Sequence, residues 1–296
     1  MNEPGTNIME KYDHPGARLR NAISGGEIIP FIGIYDSFSA GIAGRHFQGL
    51  FVSGFSFAAS YYGLPDVGFI AWTDMLAFVQ RLRAILPDHH ILVDIDDGYC
   101  DTEVACHVVR QLSQIGASAV VLEDQKRPRR CGHLDGKQLM DLDGYLDKLH
   151  KVLACSGEML VVARTDATDE AEAVRRAEAF AVVGADAVLV EAVGTLSLLS
   201  EVKRRVGLPL VFNQIAGGKS PPATLSELKT AGVSLVNYST PCLFAAQSSI
   251  ESAMQELLAS DGLLPKSGAK HVGVAECNKM LHENLAGISV QGLKGN

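Results

Sequence analysis

Residues 116–123 read GASAVVLE, and residues 184–191 repeat this pattern as GADAVLVE. A fainter copy, AGVSLVNY, stands at residues 231–238. Each copy has a glycine that can end a helix, a continuous apolar run that suits a buried strand, and a polar residue after that run. A unit of this kind, repeated along a chain, predicts strands alternating with helices and a parallel sheet buried on both faces.

Apolar runs suitable for such strands occur along the whole chain, and a longer segment of helical period follows each of them. The predicted strands are Ile28–Ile34, Leu50–Ser53, Ile91–Ile95, Ala119–Glu123, Met159–Ala163, Ala187–Glu191, Leu208–Phe212 and Ser234–Tyr238. Eight strand–helix units favour an α/β fold of the closed (β/α)8 TIM-barrel type over an open doubly wound sheet. The sequence also lacks a glycine-rich phosphate-binding motif of the GxGxxG type.

The chain has 296 residues, and no linker rich in proline, glycine and serine divides it. We therefore predict a single barrel domain over residues 1–296, since barrels often reach this length. Residues 1–17 are expected to form a loose leader. Residues 264–296 are expected to add a C-terminal helical extension, with a helix over Val274–Leu285 that packs on the same barrel or on a neighbouring subunit.

Composition and charge argue against several classes of protein. The chain has 34 acidic and 26 basic residues, so it lacks the basic surface of a nucleic-acid-binding protein. Its six cysteines form no CxxC pair, which suits a reducing compartment better than a disulfide framework. No apolar run approaches the roughly 18 residues that a membrane span requires. We expect a cytoplasmic protein that binds neither nucleic acid nor membranes.

Polar residues follow most of the predicted strands. Because active sites of these barrels lie at the carboxyl ends of the strands, these residues are candidates for the functional site. They are Ser53, Asp94, Asp96, Glu123, Asp124, Arg164, Asp166, Glu191, Asn213 and Tyr238. Most of them are carboxylates, with one arginine among them.

Asp94 and Asp96 lie two residues apart in ILVDIDDGY, so both side chains can point the same way from an extended strand. With Glu123 on the next strand they would form a cluster of oxygen ligands that suits Mg²⁺, with Mn²⁺ as the alternative. In the competing interpretation, these acids cap helices. Asp101, which precedes Thr-Glu, is the better candidate for a helix cap.

Arg164, in the segment VVARTDA, would emerge beside these carboxylates. A guanidinium group in such a cavity can bind a substrate carboxylate through two parallel hydrogen bonds. The alternative is an ion pair between Arg164 and either Glu123 or Glu191.

The segment QKRPRRCGHLDGKQL, residues 125–139, follows the fourth predicted strand and is long for a connection of this kind. Long polar loops at this end of a barrel often act as lids. Its basic side chains are expected to lower the thiol pKa of Cys131 and prepare it for proton transfer. The alternative is that Cys131 is only a small buried apolar residue. The basic and polar residues around it in the sequence make this alternative less favoured.

With these residues identified, the chain resembles the isocitrate lyase/phosphoenolpyruvate mutase superfamily from about residue 18 to about residue 246. The motifs that carry the resemblance stand in one order along the chain. They are Tyr35-Asp36, Ser53-Gly54, GLPD at 63–66, DxDxGY at 94–99, EDQ at 123–125, CGH at 131–133, ARTD at 163–166, Glu191-Ala192, and Asn213 with GGK at 217–219. The CGH and ARTDA motifs are similar to those of the branch that contains methylisocitrate lyases, dimethylmalate lyases and carboxyphosphonoenolpyruvate mutase.

The resemblance implies a barrel whose C-terminal helix is swapped between the subunits of a homotetramer or homodimer. It implies Mg²⁺ held at Asp94, with Asp66, Asp96 and Glu123 taking part directly or through water. Cys131 would be the acid/base that protonates an enolate carbon after C–C cleavage. The other implied catalytic residues are Arg164, His133 and Arg129. The implied substrate-binding residues are Tyr35, Ser53, Gly54, Asp94, Gly132, Arg164, Glu191 and Asn213.

Three positions depart from the pattern of this superfamily. Arg129 stands where the lid motif normally has lysine, and arginine hardly ever gives up its proton. Cys100 replaces the second glycine of a Gly-Tyr-Gly turn, and Ala216 replaces an acid three residues after Asn213. These departures predict an altered substrate specificity.

The sequence thus predicts a Mg²⁺-dependent carbon–carbon lyase for a small carboxylate substrate. It would cleave a 2-hydroxy di- or tricarboxylate, similar to 2-methylisocitrate or an alkylmalate, into an oxo acid and a dicarboxylate by retro-aldol chemistry. The alternatives are a phosphoenolpyruvate or phosphonopyruvate mutase or hydrolase, a decarboxylase of oxaloacetate-like acids, and a barrel that binds an oxo acid without turnover. Cys131 favours the lyase, and the intact carboxylate set disfavours the last alternative.

Overall fold

The computed structural model describes residues 14–99, 101–266 and 271–290. In these ranges eight parallel strands close into one barrel in chain order, and the last strand pairs with the first. The strands are β1 Ile29–Ile34, β2 Gly49–Val52, β3 His90–Asp94, β4 Ala119–Glu123, β5 Leu160–Thr165, β6 Ala187–Val190, β7 Leu210–Asn213 and β8 Val233–Tyr238. The predicted (β/α)8 barrel is confirmed.

Helices connect the strands and cover the outside of the barrel. They are α1 Pro15–Ser24, α2 Ser37–Ala43, α3 Gly54–Phe57, α4 Trp72–Ile85, α5 Thr102–Gln114, α6 Leu142–Leu153, α7 Glu170–Val183, α8 Leu196–Val206, α9 Leu225–Thr230, α10 Pro241–Ala259 and α11 Val274–Leu285. One π-helical turn, Ala58–Tyr62, continues α3. No helix in the described ranges is both long enough and apolar enough to cross a bilayer.

Two predicted limits near the chain ends are tested by the structure. The leader is shorter than predicted, because α1 begins at Pro15, a residue suited to a first helical turn, and His14 Nδ1 accepts the N–H of Gly16. Residues 1–13 lie outside the described ranges, as do residues 267–270 and 291–296 of the C-terminal extension. The helix predicted in that extension is confirmed as α11.

Apolar side chains pack on both faces of the sheet. Leu92 and Val121 point into the barrel, whereas their neighbours Val93 and Val120 pack against the surrounding helices. Leu19 of α1 joins the inner cluster. Because successive residues of a strand face opposite sides, a strand buried on both faces requires the continuous apolar runs seen in the sequence.

The C-terminal helices differ in how they contact the barrel. Helix α10 has no buried residue and exposes Ile250, Met254 and Leu258. Helix α11 is attached near its end to its own barrel, where Arg45 Nη2 donates to Asn284 Oδ1 at 2.9 Å. The exchange of a helix between subunits, and the homotetramer or homodimer, stay predictions.

Candidate active site

Most of the predicted site residues meet at one cavity at the carboxyl ends of the strands. The cavity is narrow in this structure, with a volume of about 30 Å³. The predicted residues that line it are Ser53, Asp66, Asp94, Cys131, Gly132, His133, Arg164, Glu191 and Asn213. Its apolar part is formed by inward-pointing side chains of the barrel, Phe51, Val121 and Leu189. The composition of this lining, rather than its volume in this structure, suits a small polar ligand with a short apolar portion.

Five of the predicted catalytic, substrate-binding and metal-binding residues do not line the cavity itself, and Gly54 is one of them. Asp96, Glu123 and Arg129 are buried next to its wall, at 4%, 0% and 2% exposure. Tyr35 is half-buried near Asp36 and Cys242, so the structure does not bring its side chain to the substrate cavity.

The carboxylates predicted to bind a metal approach one another beside Gly54. A Cβ placed on Gly54 would lie 3.4 Å from Asp96 Oδ1, 3.6 Å from Asp94 Oδ2 and 3.9 Å from Asp66 Oδ1. The glycine therefore leaves open the space on which these three oxygen atoms converge. This supports a role for Gly54 in the site. The role is to leave room for the three oxygen atoms rather than to donate a hydrogen bond.

Asp96 reaches this position by a route that the sequence analysis did not predict. Strand β3 ends at Asp94, and Asp96 adopts a left-handed backbone conformation with φ of 51°. Its N–H donates to Asp94 Oδ1 at 3.1 Å. The prediction that an extended strand aligns the two side chains was wrong, but the turn brings them together. Residues in this sparsely populated backbone region are concentrated at functional sites.

Arg129 lies inside the carboxylate cluster, with its side chain only 1% exposed. Its Nη1 lies 2.5 Å from Asp66 Oδ1, and its Nη2 lies 3.1 Å from Asp96 Oδ1. Its Nε donates to Glu123 Oε1 at 2.8 Å. One guanidinium group therefore contacts three of the four carboxylates predicted to bind Mg²⁺.

Arg164 is surrounded by carboxylates on the other side of the cluster. Its Nε and Nη2 donate to the two oxygens of Asp166 at 2.9 and 3.0 Å. Its Nη2 lies 3.3 Å from Glu123 Oε2, and its Nε lies 3.8 Å from Glu191 Oε2. The ion-pair alternative is therefore present, with Asp166 as the principal partner. The Nη1 atom lies 4.0 Å from Asp94 Oδ2, and it is the guanidinium nitrogen best placed to bind a substrate carboxylate.

The cluster contains more acidic than basic side chains. Its six carboxylates and three cations are Asp66, Asp94, Asp96, Glu123, Asp166 and Glu191, with Arg129, Lys137 and Arg164. Burial raises the pKa of Asp94 and Asp96, and it raises the pKa of Glu123 to about 7, although the two arginines oppose the effect. Burial acts the same way on Asp166 and Glu191, but Arg164 holds their pKa below the ordinary value.

These residues fit a divalent cation in charge and in donor type. Fully ionised, the cluster would have negative charge that its three cations do not neutralise, and its donors are the hard oxygens that Mg²⁺ prefers. Asp96 Oδ1 is buried without a hydrogen bond. In the described ranges, no three Asp, Glu, His or Cys side chains are arranged closely enough to hold a metal ion. Arg129 lies among the carboxylates instead. The metal stays a prediction.

The predicted lid is the connection between β4 and α6. An antiparallel bridge between Gln125 and Leu139 joins its two ends. Lys137 Nζ donates to the carbonyl oxygen of Gly132 at 2.6 Å and to Asp166 Oδ1 at 3.0 Å. The sequence analysis did not predict Lys137 as a site residue, since in the sequence it is one lysine in a basic loop.

His133 attaches the lid to the loop that follows β7. The backbone N–H of Lys219 donates to His133 Nδ1 at 2.9 Å, and His133 Nε2 lies 2.9 Å from Glu191 Oε1. A Cβ on Gly218 would lie 2.8 Å from Nδ1, which explains a glycine there. Because Nδ1 accepts a hydrogen bond, the ring proton is on Nε2, facing Glu191. We therefore expect His133 to position the lid and Glu191.

Cys131 lines the cavity beside Arg164, but its pKa is opposite to the predicted direction. Burial raises the pKa of the thiol to about 11. The charges of Asp66 and Glu191 add to this effect and outweigh the opposing influence of the His133 backbone and Arg164. The predicted lowering was wrong because burial of the sulfur is the largest influence on its pKa, and Asp66 and Glu191 act in the same direction as burial. A neutral thiol of this kind is suited to donate a proton.

The raised pKa predicts slow alkylation of Cys131. At pH 8 its thiolate fraction should be roughly 100-fold below that of an ordinary cysteine, because the thiolate is the reactive form. Mass spectrometry of the Cys131 peptide after timed exposure to iodoacetamide measures the rate. The same peptide in urea-unfolded protein is the control, and equal rates in the two samples would contradict the prediction.

Two cavity residues were missed because the inward face of β8 was assigned wrongly, although its end at Tyr238 was predicted correctly. Tyr238 was predicted to face the site, but Asn237 and Ser239 line the cavity instead. Successive residues of a strand face opposite sides, so a prediction that is wrong by one residue selects the opposite face. Ser239 Oγ donates to Asn213 Oδ1 at 2.5 Å, and both amide atoms of Asn237 are buried without a hydrogen bond to any described residue.

Asp124, which was predicted as a strand-end site candidate, and Asp101, which was predicted as a helix cap, both have structural roles. Asp124 accepts the N–H of Asp166 at 2.9 Å and lies 3.0 Å from Arg176 Nη1, so it joins β4 to its neighbours. Asp101 caps α5 by accepting the N–H groups of Glu103 and Val104. The capping prediction for Asp101 is confirmed.

With this geometry established, the chain can be compared with known proteins. Residues 19–258 match the family model described as phosphoenolpyruvate phosphomutase, which spans most of the chain. The chain belongs to the phosphoenolpyruvate phosphomutase family. It is therefore an enzyme of the phosphoenolpyruvate mutase/isocitrate lyase superfamily, as the sequence analysis predicted.

Individual members of the family match over most of their length. A 2-methylisocitrate lyase of Aeropyrum pernix is 31% identical over 253 residues, which cover 84% of this chain and 82% of that protein. A crystal structure of 2,3-dimethylmalate lyase is 27% identical with a TM-score of 0.84, covering 92% of this chain and 91% of that one. A structure of oxaloacetate acetylhydrolase with the inhibitor 3,3-difluorooxalacetate is 25% identical, with a TM-score of 0.85 and coverages of 92% and 93%.

The three departures from the family pattern differ in their relation to the site. Arg129 lies in the carboxylate cluster itself. Ala216 lines a separate groove together with Ile215 and Phe244. Ile215 also lines the main cavity, whereas Ala216 and Phe244 do not. Cys100 lies outside the described residues.

Proposed function

We propose that this member of the family is a Mg²⁺-dependent carbon–carbon lyase. Its substrate would be a 2-hydroxy di- or tricarboxylate of the 2-methylisocitrate or alkylmalate type. Retro-aldol cleavage of the C2–C3 bond gives an oxo acid and, after protonation of C3, a second acid. The observation that carries the proposal is a neutral thiol, Cys131, in the wall of a cavity that also contains Arg164 and several carboxylates.

The residues of the cavity supply the proton transfers of this reaction. The 2-hydroxyl proton passes to a carboxylate of the cavity wall, for which Asp66, Asp94 and Glu191 are the candidates. The electron pair of the C2–C3 bond moves to C3 and its carboxylate as an enolate. Cys131 Sγ then gives its proton to C3, and the resulting thiolate recovers a proton before the next turnover.

The remaining groups bind and orient the substrate. Arg164 Nη1 can bind a substrate carboxylate while Asp166 fixes the rest of the guanidinium group. The Lys137 contact to Gly132 and the His133 contact to Lys219 hold the lid, and with it the thiol, at the cavity. Asp94, Asp96, Asp66 and Glu123 would hold Mg²⁺, whose chemistry is to stabilise negative charge on oxygen as a Lewis acid.

A time course followed by ¹H and ³¹P NMR tests the proposal. Purified protein with Mg²⁺ receives 2-methylisocitrate, isocitrate, 2,3-dimethylmalate, oxaloacetate, phosphoenolpyruvate and phosphonopyruvate in parallel reactions. We expect pyruvate or glyoxylate together with the matching second acid from one of the hydroxy acids. A parallel set in EDTA measures the metal dependence separately, and its loss of activity should be restored by added Mg²⁺.

Other products would replace this proposal with one of the alternatives. A new phosphorus resonance, or phosphate released from phosphonopyruvate, would assign the mutase or hydrolase chemistry. Loss of CO₂ from oxaloacetate alone would assign a decarboxylase.

A further inference from the structure

Although Arg129 lies on a loop, all three nitrogen atoms of its guanidinium group contact carboxylates. Its Nε edge binds Glu123, and its two terminal nitrogens each contact a different aspartate, Asp66 and Asp96. A guanidinium can do this because its five N–H donors are fixed in a planar fork. A lysine ammonium is a single point charge and cannot span three carboxylates in this way.

The oxygen atoms that Arg129 contacts are the ones a cation would need. Asp66 Oδ1 and Asp96 Oδ1 are paired with the guanidinium, and they are also two of the three oxygens that converge beside Gly54. A divalent cation at this position would have to share these atoms with a positive charge that repels it. The two cations therefore compete for one set of ligands.

The competition can be relieved only by movement of Arg129. Its guanidinium group stays protonated in proteins, so it cannot lose its charge to make room for the metal. It belongs to the lid, between Gln125 and Leu139, and stands two residues before the thiol of Cys131. Withdrawal of the guanidinium is thus a movement of the segment that also carries the proton donor.

We propose that Arg129 is a built-in competitor of the divalent cation. In the metal-free protein its guanidinium neutralises Asp66, Asp96 and Glu123, and the cation binds as the guanidinium withdraws from the two aspartates. The inference rests on the metal site of the proposed function. Metal binding and the position of the lid are then linked, because one side chain takes part in both.

Direct metal titration of variants tests this inference without any substrate. Full-length protein treated with EDTA is titrated with Mn²⁺, and the EPR signal of free Mn²⁺ gives the dissociation constant. Arg129→Met should bind Mn²⁺ roughly 10- to 100-fold more tightly than the parent protein, the usual size of coupling between two bound groups. Its metal-free form should also melt at a lower temperature, because three buried carboxylates lose their partner.

The neighbouring residue provides a matched control. Arg130 carries the same charge on the same loop, but its side chain is exposed and the contact of Arg130 with Gln125 is made through its backbone. Arg130→Met should therefore leave the Mn²⁺ affinity unchanged. An equal rise in both variants would show a general charge effect of the lid and would overturn the inference.

The remaining outcomes are also decisive. If the affinity of Arg129→Met for Mn²⁺ equals that of the parent protein or is lower, Arg129 is not a competitor of the metal. If that variant does not fold, Arg129→Lys decides the question, with tighter binding expected and unchanged or weaker binding overturning the inference. Absence of Mn²⁺ binding in every variant would also overturn it. None of these results depends on turnover, so a failure of the lyase proposal is seen separately in the NMR assay.

Discussion

Asp94→Asn is expected to lower kcat/KM for the lyase reaction by roughly 100- to 1000-fold, the usual cost of removing one group that stabilises developing charge. Asparagine keeps the size of the side chain and an oxygen that can accept the N–H of Asp96, so the turn after β3 is retained. Only the negative charge at the cavity wall is lost. The affinity for Mn²⁺ should fall in parallel, which the EPR titration measures.

The same substitution should not weaken the folded state. Burial raises the pKa of Asp94, so in the metal-free protein burial acts against the ionised form of this side chain. An uncharged amide removes this penalty, and the melting temperature in EDTA should stay the same or rise. Asp101→Asn is the control, since asparagine also caps helices and this residue is exposed. Full activity with unchanged Mn²⁺ affinity in Asp94→Asn would remove Asp94 from the metal site.

The fold could be predicted because the signals for it are local. Strand β4 was predicted with both limits correct, since its apolar run is bounded by a glycine-containing connection and by Glu123. The carboxyl ends of parallel strands lie together in any such barrel, so Asp94, Glu123, Arg164 and Glu191 were placed near one another from their order alone.

The interactions within the site depend on distances that the sequence does not contain. Lid residues such as Arg129 and Lys137 have no strand to fix their direction, so their carboxylate partners could not be inferred from spacing. The thiol pKa of Cys131 depends on burial and on charges contributed by several other strands and loops. Tyr238 was predicted instead of Asn237 because an apolar run shows where a strand ends but not which of its two faces points inward.

Cys131→Ser is expected to lower kcat/KM for the lyase reaction by roughly 100- to 10,000-fold, the range found when a general acid is removed. The hydroxyl group is nearly the same size, but it is a far weaker acid than even a thiol with a pKa of about 11. The step lost is protonation of C3, which follows binding and cleavage. The decrease should therefore fall on kcat, with KM changed little, in a continuous assay of oxo-acid release.

A second substitution separates the chemistry of this thiol from a general effect of replacing cysteine. Cys277 lies on α11, half-buried and outside the residues that line the cavity, so Cys277→Ser should keep the parent activity. The melting temperatures of both variants establish that they are folded. Full lyase activity in Cys131→Ser would exclude the thiol as the proton donor.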